Sequence, residues 1–166
     1  MRLIGSSALA LALFSVPALA AEPQAVATYK DWSVFVYDTG SDKICFAATE
    51  ATDKSPKAVQ HGDIFFMVAS WKSGAAKNQP SLRVGYNLKD GPDPTIRIGS
   101  DSWEMYPSEN EAFIESSSSE QGLVTAMRKG ATMRISATSS RGTATSYVFS
   151  LTGVSAALDR AAGACK

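Results

Sequence analysis

The sequence predicts a mainly β fold, a β-sandwich or jelly-roll-like barrel with one or two short helices, one of them at the C-terminus. Three observations predict it. Short stretches rich in β-branched and aromatic residues recur along the chain, each bounded by Gly, Pro, Asn, Asp or Ser. Several of them alternate apolar and polar side chains with the period of two that a strand with one buried face requires. Helical spacing of apolar residues is confined to two short segments near the end of the chain.

The chain opens on a secretory leader. Arg2 supplies a positive start, residues 3–16 form an apolar Ala- and Leu-rich run, and Ala18-Leu19-Ala20 is an A-x-A cleavage site. Residues 1–20 are therefore expected to be removed, leaving residues 21–166 as one exported domain. A spanning helix needs about 20 apolar residues. Pro17 and then Glu22-Pro23 interrupt the run too early, so no integral membrane segment is expected in the mature chain.

In Trp32-Ser33-Val34-Phe35-Val36-Tyr37, Trp32, Val34 and Val36 make one continuously apolar face, and this is read as a first core strand. Asp38-Thr39-Gly40-Ser41-Asp42 turns the chain into 43–49, the second half of a hairpin that carries Cys45. Residues 51–62 are polar, contain Pro56 and have no period, so they read as a loop. The run 64–71 is apolar on both faces and reads as a central strand, or as one whose outer face is covered by a loop. After a loop over 73–80, Leu82, Val84 and Tyr86 alternate inward against Arg83 and Asn87. Prolines and a glycine in Asp90-Gly91-Pro92-Asp93-Pro94 exclude a ladder there, and 95–98 and 103–106 follow as two short strands.

Residues 116–119 are four serines that offer helix N-caps before Glu120. Leu123, Val124 and Met127 recur at helical spacing, and Arg128 and Lys129 suit the C-terminal end of the dipole before a stop at Gly130. Residues 132–138 alternate Met133, Ile135 and Ala137 against Arg134 and Ser136, and Ser139-Ser140-Arg141-Gly142-Thr143 turns them into 145–151 as a second hairpin. Beyond Gly153, Ser155 is a candidate cap, and 156–162 has the composition of a terminal helix.

Sixteen Lys and Arg balance sixteen Asp and Glu, and loss of Arg2 with the leader leaves the mature chain near −1. A chain with no basic excess has little to gain from counterion release, so nucleic-acid binding is disfavoured. Both cysteines, Cys45 and Cys165, lie in the mature chain. An even pair in an oxidising compartment reads most simply as a disulfide, ahead of a metal site or a catalytic thiol.

Positive signs of catalysis are missing. The single histidine, His61, reads as a surface loop residue, and Gly153-Val154-Ser155-Ala156-Ala157 lacks the closing glycine of a nucleophile elbow. No cofactor or metal motif is present, and none is expected. Six acids from Asp101 to Glu120 precede four bases from Arg128 to Arg141; mutual neutralisation explains the two blocks more simply than a cation site. Trp32, Trp71 and Trp103 read as core residues. Eight Ser or Thr over 132–146, with Arg134 and Arg141, offer hydroxyl rows and guanidinium forks to a glycan or anionic head group, although the propensity of Thr for exposed strands explains most of them.

The chain resembles the invasion-associated locus B (IalB) proteins of alphaproteobacterial envelopes. The resemblance rests on Asp31-Trp32-Ser33-Val34, Ile44-Cys45-Phe46-Ala47, Val84-Gly85-Tyr86, Leu123-Val124-Thr125-Ala126-Met127-Arg128-Lys129-Gly130, Ser139-Ser140-Arg141-Gly142-Thr143, Gly153-Val154-Ser155-Ala156-Ala157-Leu158 and the terminal Cys165. It implies an exported, mostly β, periplasmic or outer-envelope protein. Some relatives carry another early cysteine where Val36 and Tyr37 stand here, a departure that supports Cys45 with Cys165 as the one bridge. The family offers no catalytic residues to carry over. Its most recognisable local feature is the turn at Arg141, Gly142 and Thr143, which together with Arg134 forms the candidate ligand or turn signature. The expected function is non-enzymatic binding of an envelope or host protein or glycan, with host-cell interaction as the family's namesake role. The alternative is a structural or stress-related envelope protein that assembles with itself or with outer-membrane proteins.

Overall fold

The computed structural model describes residues 22–166, so the leader and its cleavage site lie outside the described residues. Two antiparallel sheets share one apolar core. The first has seven strands in the order β1 (Gln24–Tyr29), β2 (Trp32–Asp38), β3 (Lys43–Glu50), β5 (Phe65–Trp71), β6 (Gln79–Arg83), β10 (Glu111–Phe113) and β9 (Tyr106–Ser108). The second has five, in the order β4 (Asp53–Ser55), β12 (Ala144–Ser150), β11 (Thr132–Thr138), β7 (Thr95–Ile98) and β8 (Asp101–Glu104). Each sheet keeps two edge strands, so the architecture is a pair of packed sheets rather than a closed barrel.

Register follows the hydrophobic pattern. Val34 pairs with Ala47 and Ala47 with Val68, while Phe66 pairs with Leu82 and Leu82 with Ala112, which gives the seven-stranded sheet one continuous buried face. In the second sheet Met133, Ile135 and Ala137 pair with Phe149, Tyr147 and Thr145, all buried. A one-residue slip would turn either set toward water, so burial fixes both registers. Trp32 is wholly buried and its indole N–H donates to the Ser150 carbonyl at 3.0 Å, which joins the first sheet to the second.

Helix α1 (Ser117–Lys129) starts at Ser116, whose hydroxyl accepts from the Ser119 amide, and buries Leu123, Val124 and Met127. Helix α2 (Val154–Ala164) buries Val154, Ala157, Leu158 and Ala161 against β1, β2 and β3, and leads into Cys165. Cys165 is bonded to Cys45 on β3, with the two Cα atoms 5.7 Å apart.

Several expectations are corrected. The 51–62 loop contains β4, three polar residues whose strand character comes from pairing with β12 rather than from any apolar period. Strand β6 begins at Gln79, takes in Pro80 and ends at Arg83, so the chain has left the ladder before Val84 and Tyr86. The stretch read as one strand over 103–106 is split between β8 and β9, which belong to different sheets. Gly153, not Ser155, stands at the start of α2: it has φ +95°, and a Cβ there would lie 2.0 Å from the Tyr29 carbonyl oxygen. Gly130 does end α1 as expected, in extended backbone, and a Cβ there would press on the Ile98 and Leu151 side chains at 2.6 and 2.9 Å. Of the three tryptophans only Trp32 is fully buried; Trp71 and Trp103 are half-buried.

Candidate functional site

Three segments that are distant in sequence meet beside the β11–β12 turn and enclose a cleft of about 600 Å³. They are 59–61 from the loop after β4, 85–87 from the loop after β6, and the turn with the start of β12 at 139–145. The cleft exists because two of these loops close on each other. A Cβ on Gly85 would lie 2.6 Å from the His61 carbonyl oxygen, and one on Gly62 would lie 3.0 Å from the Gly85 Cα.

The floor is a chain of hydrogen bonds built on β12. The His61 Nε2 lies 2.9 Å from the Pro56 carbonyl, which can only accept, so Nε2 carries a proton. In the neutral ring Nδ1 accepts from the Tyr147 hydroxyl at 3.0 Å. The Tyr147 oxygen is 2.7 Å from the Tyr86 hydroxyl, which is 2.7 Å from the Thr145 hydroxyl. With Tyr147 donating to His61, Tyr86 donates to Tyr147, and Thr145 shares its one proton between the Tyr86 oxygen at 2.7 Å and the Ala137 carbonyl at 3.2 Å. Burial pushes the Tyr147 phenol far above its ordinary value, so it stays a neutral donor.

This overturns the reading of His61 as a surface loop residue. It is only 7% exposed, stands edge-on to the Tyr147 ring and has both nitrogens engaged. Loop sequence gave no sign of this, because burial arises from the Gly62–Gly85 approach and from Tyr147 on a strand of the other sheet. Thr145 and Tyr147 were legible as strand residues, whereas Tyr86 lies in the loop after β6, and none of the three was legible as a partner of the others.

The structure divides the candidate signature. Arg141 and Thr143 line the cleft, with Gly142 between them at φ +85° in the turn. The Gly142 amide donates to the Ser139 carbonyl, the Thr143 amide to the Ser139 hydroxyl, and the Ser140 amide to the Asn87 carbonyl, so the turn is fastened to itself and to the neighbouring loop. Arg134 lies elsewhere, opposite Arg97 on the exposed face of the five-stranded sheet. There the Lys57 ammonium, and more weakly the Arg134 guanidinium, hold the Asp53 carboxyl below its ordinary range. The acids from Asp101 to Glu120 spread over β8, the turn before β10, β10, the link from β10 to α1 and α1 itself, and among the described residues no three His, Cys, Asp or Glu converge on one point.

A second surface stands apart from the cleft. On the outer face of the seven-stranded sheet Phe35 stacks on Phe46 with ring centroids 5.1 Å apart, and Tyr106 packs on Phe113 at 5.8 Å. Met67, Ala69 and Trp71 lie between these pairs, all half-buried.

Comparison with known proteins agrees with this architecture. The crystal structure of invasion associated protein B from Bartonella henselae superimposes with a TM-score of 0.54 at 18% identity, covering 83% of this chain and 96% of that one. At that identity the likeness speaks for the fold alone. No curated protein matches. The family model described as "Invasion associated locus B (IalB) protein" matches residues 32–162, a span that contains both sheets from β2 onward, nearly all of α2 and every residue of the cleft. On that match the chain belongs to the invasion associated locus B family.

Proposed function

We propose that this protein is an exported, non-enzymatic binding module that works in the periplasm or outer envelope and engages an envelope or host component through the cleft at Arg141. Export is supported by the A-x-A leader in the sequence and by the Cys45–Cys165 bridge, a feature of oxidising compartments. The observation that carries the binding reading is the contrast between the cleft's floor and its rim. Floor groups are hydrogen-bonded to one another, whereas the side chains of Gln60, Asn87, Ser140, Arg141 and Thr143 on the rim have no hydrogen-bond partner among the described residues. A rigid floor under unengaged polar groups suits recognition, since little reorganisation is needed when a ligand arrives. It suits catalysis poorly, because the one hydroxyl that donates to the imidazole is the Tyr147 phenol, which is wholly buried and whose proton burial holds well above its ordinary range.

Photo-crosslinking in intact cells tests the reading, with the crosslinker placed at Ser140 in the cleft or at Phe46 on the outer face. A defined adduct formed from Ser140 and not from Phe46 is expected. Adducts from Phe46 alone would transfer the function to the other surface.

A second reading, a structural protein that assembles with itself, is favoured by the aromatic pairs on the outer face, Phe35 with Phe46 and the exposed Tyr106 with Phe113. Light scattering separates the two: a monomer at micromolar concentration speaks against self-assembly through that face.

A further inference from the structure

We infer that the cleft takes a carboxylate-bearing saccharide, a uronic acid unit of an acidic glycan, with Arg141 gripping the carboxylate and the rim side chains reading the ring hydroxyls. This rests on the binding reading above and gives it a ligand class.

Three features carry it. The first is charge: Arg141 is exposed in the turn, makes no ion pair among the described residues, and no carboxylate lines the cleft with it. An unpaired guanidinium in a concave site selects an anion. The second is the form of the anion. A tetrahedral phosphate is usually cradled by several backbone N–H groups, yet in the turn the amides of Ser139, Ser140, Gly142 and Thr143 are already engaged, which leaves that of Arg141 alone beside the guanidinium. A planar carboxylate is satisfied by the guanidinium fork alone, through two parallel charge-assisted bonds.

The third is what surrounds the arginine. Gln60 and Asn87 present amides, and Ser140 and Thr143 present hydroxyls; each of these groups both donates and accepts, as sugar hydroxyls do. Beside them the Tyr86 ring, its hydroxyl held by Tyr147 and Thr145, offers a fixed apolar wall for the C–H face of a pyranose. The volume of about 600 Å³ lies within the range of small-molecule sites and leaves room for a disaccharide.

Titration calorimetry of the mature, oxidised protein tests the inference with digalacturonate, its dimethyl ester and inorganic phosphate. Digalacturonate is expected to bind, with the ester about tenfold weaker or more for loss of the charge-assisted pair, and phosphate is expected not to displace it. Arg141→Gln should lose binding to a similar degree with an unchanged melting temperature, and Arg134→Gln should bind as the parent does. Equal binding of acid and ester, displacement by phosphate at comparable concentration, or an Arg141→Gln variant that binds normally would each overturn it. If none of the three probes binds, the saccharide assignment falls, while a Ser140-specific adduct in cells would still leave the cleft as the binding surface for other chemistry.

Discussion

Where α2 crosses β1, β2 and β3, the chain is held by a covalent bond and by apolar side chains with nothing left to pair: Cys45 to Cys165, Trp32 over Ser150, and Val154, Ala157, Leu158 and Ala161 against the sheet. Around His61 the contacts are of the opposite kind, hydroxyls and an imidazole that hold one another across two loops and strand β12 and leave a cleft open above them. Apolar and covalent contacts tolerate no ligand but give stability that scales with what they bury or close. A directed polar network adds less stability and fixes geometry, which a recognition site requires. On the proposed binding reading, the first region serves folding and the second recognition.

Removing the bridge should have the largest effect on that contrast. Cys45 and Cys165 are 120 residues apart in sequence, a closure that is worth about 5 kcal/mol in the chain-entropy model. Cys45→Ser with Cys165→Ser should therefore lower the melting temperature by roughly 10–20 °C, measured by circular dichroism, while leaving the cleft's ligand affinity intact below the transition. Loss of affinity in a still-folded variant would break the separation.

Gly153→Ala comes next. Its added Cβ would collide with the Tyr29 carbonyl at a residue already in left-handed backbone, and a loss of about 3 kcal/mol is expected in urea denaturation. That effect too should spare the cleft.

A test from the other side is Tyr147→Phe, which removes the hydroxyl between His61 and Tyr86 and leaves the imidazole Nδ1 buried without a donor, at a cost of about 1–3 kcal/mol. It should also change the response to alkali. The folded protein holds the phenol proton more tightly than the unfolded chain, so the stability gained from the neutral phenol is complete below the unfolded value of about pH 10 and is lost as the pH rises above it. The parent should therefore lose stability relative to Tyr147→Phe on raising the pH from 9 to about 11. Parallel curves in denaturant titrations would show that the phenol is not buried as described.

These two regions also differ in how much of them can be read from the chain. Residues 132–138 and 144–150 alternate so regularly that one face of each had to be buried, and α1 announces itself through Ser116, the Leu123–Met127 spacing and the bases before Gly130. Both cysteines and the expected leader make the bridge legible from the expected compartment alone. The cleft is different. His61 is separated from Tyr86 by 25 positions and from Tyr147 by 86, and no local period links them. Its burial depends on a close approach of Gly62 and Gly85 that is visible only in three dimensions. Arg141, Gly142 and Thr143 were legible as a turn, because glycine at positive φ has a local signature. That Arg134 belongs to another surface was not, since strand alternation gives a residue's face and not its distance from a turn.

The smallest expected change in stability is that of Arg141→Gln, an exposed turn residue with no ion pair among the described residues, whose replacement should stay within about 0.5 kcal/mol of the parent in urea. A larger loss would make Arg141 part of the fold's support and weaken its reading as a ligand group.

The most direct measurement is an amide chemical-shift titration of the isotopically labelled mature protein with digalacturonate. The account predicts shifts confined to residues 59–61, 85–87 and 139–145, with α2 and the Phe35–Phe46 face silent. Shifts along β2, β3 and β5, or none at saturating ligand, would contradict it.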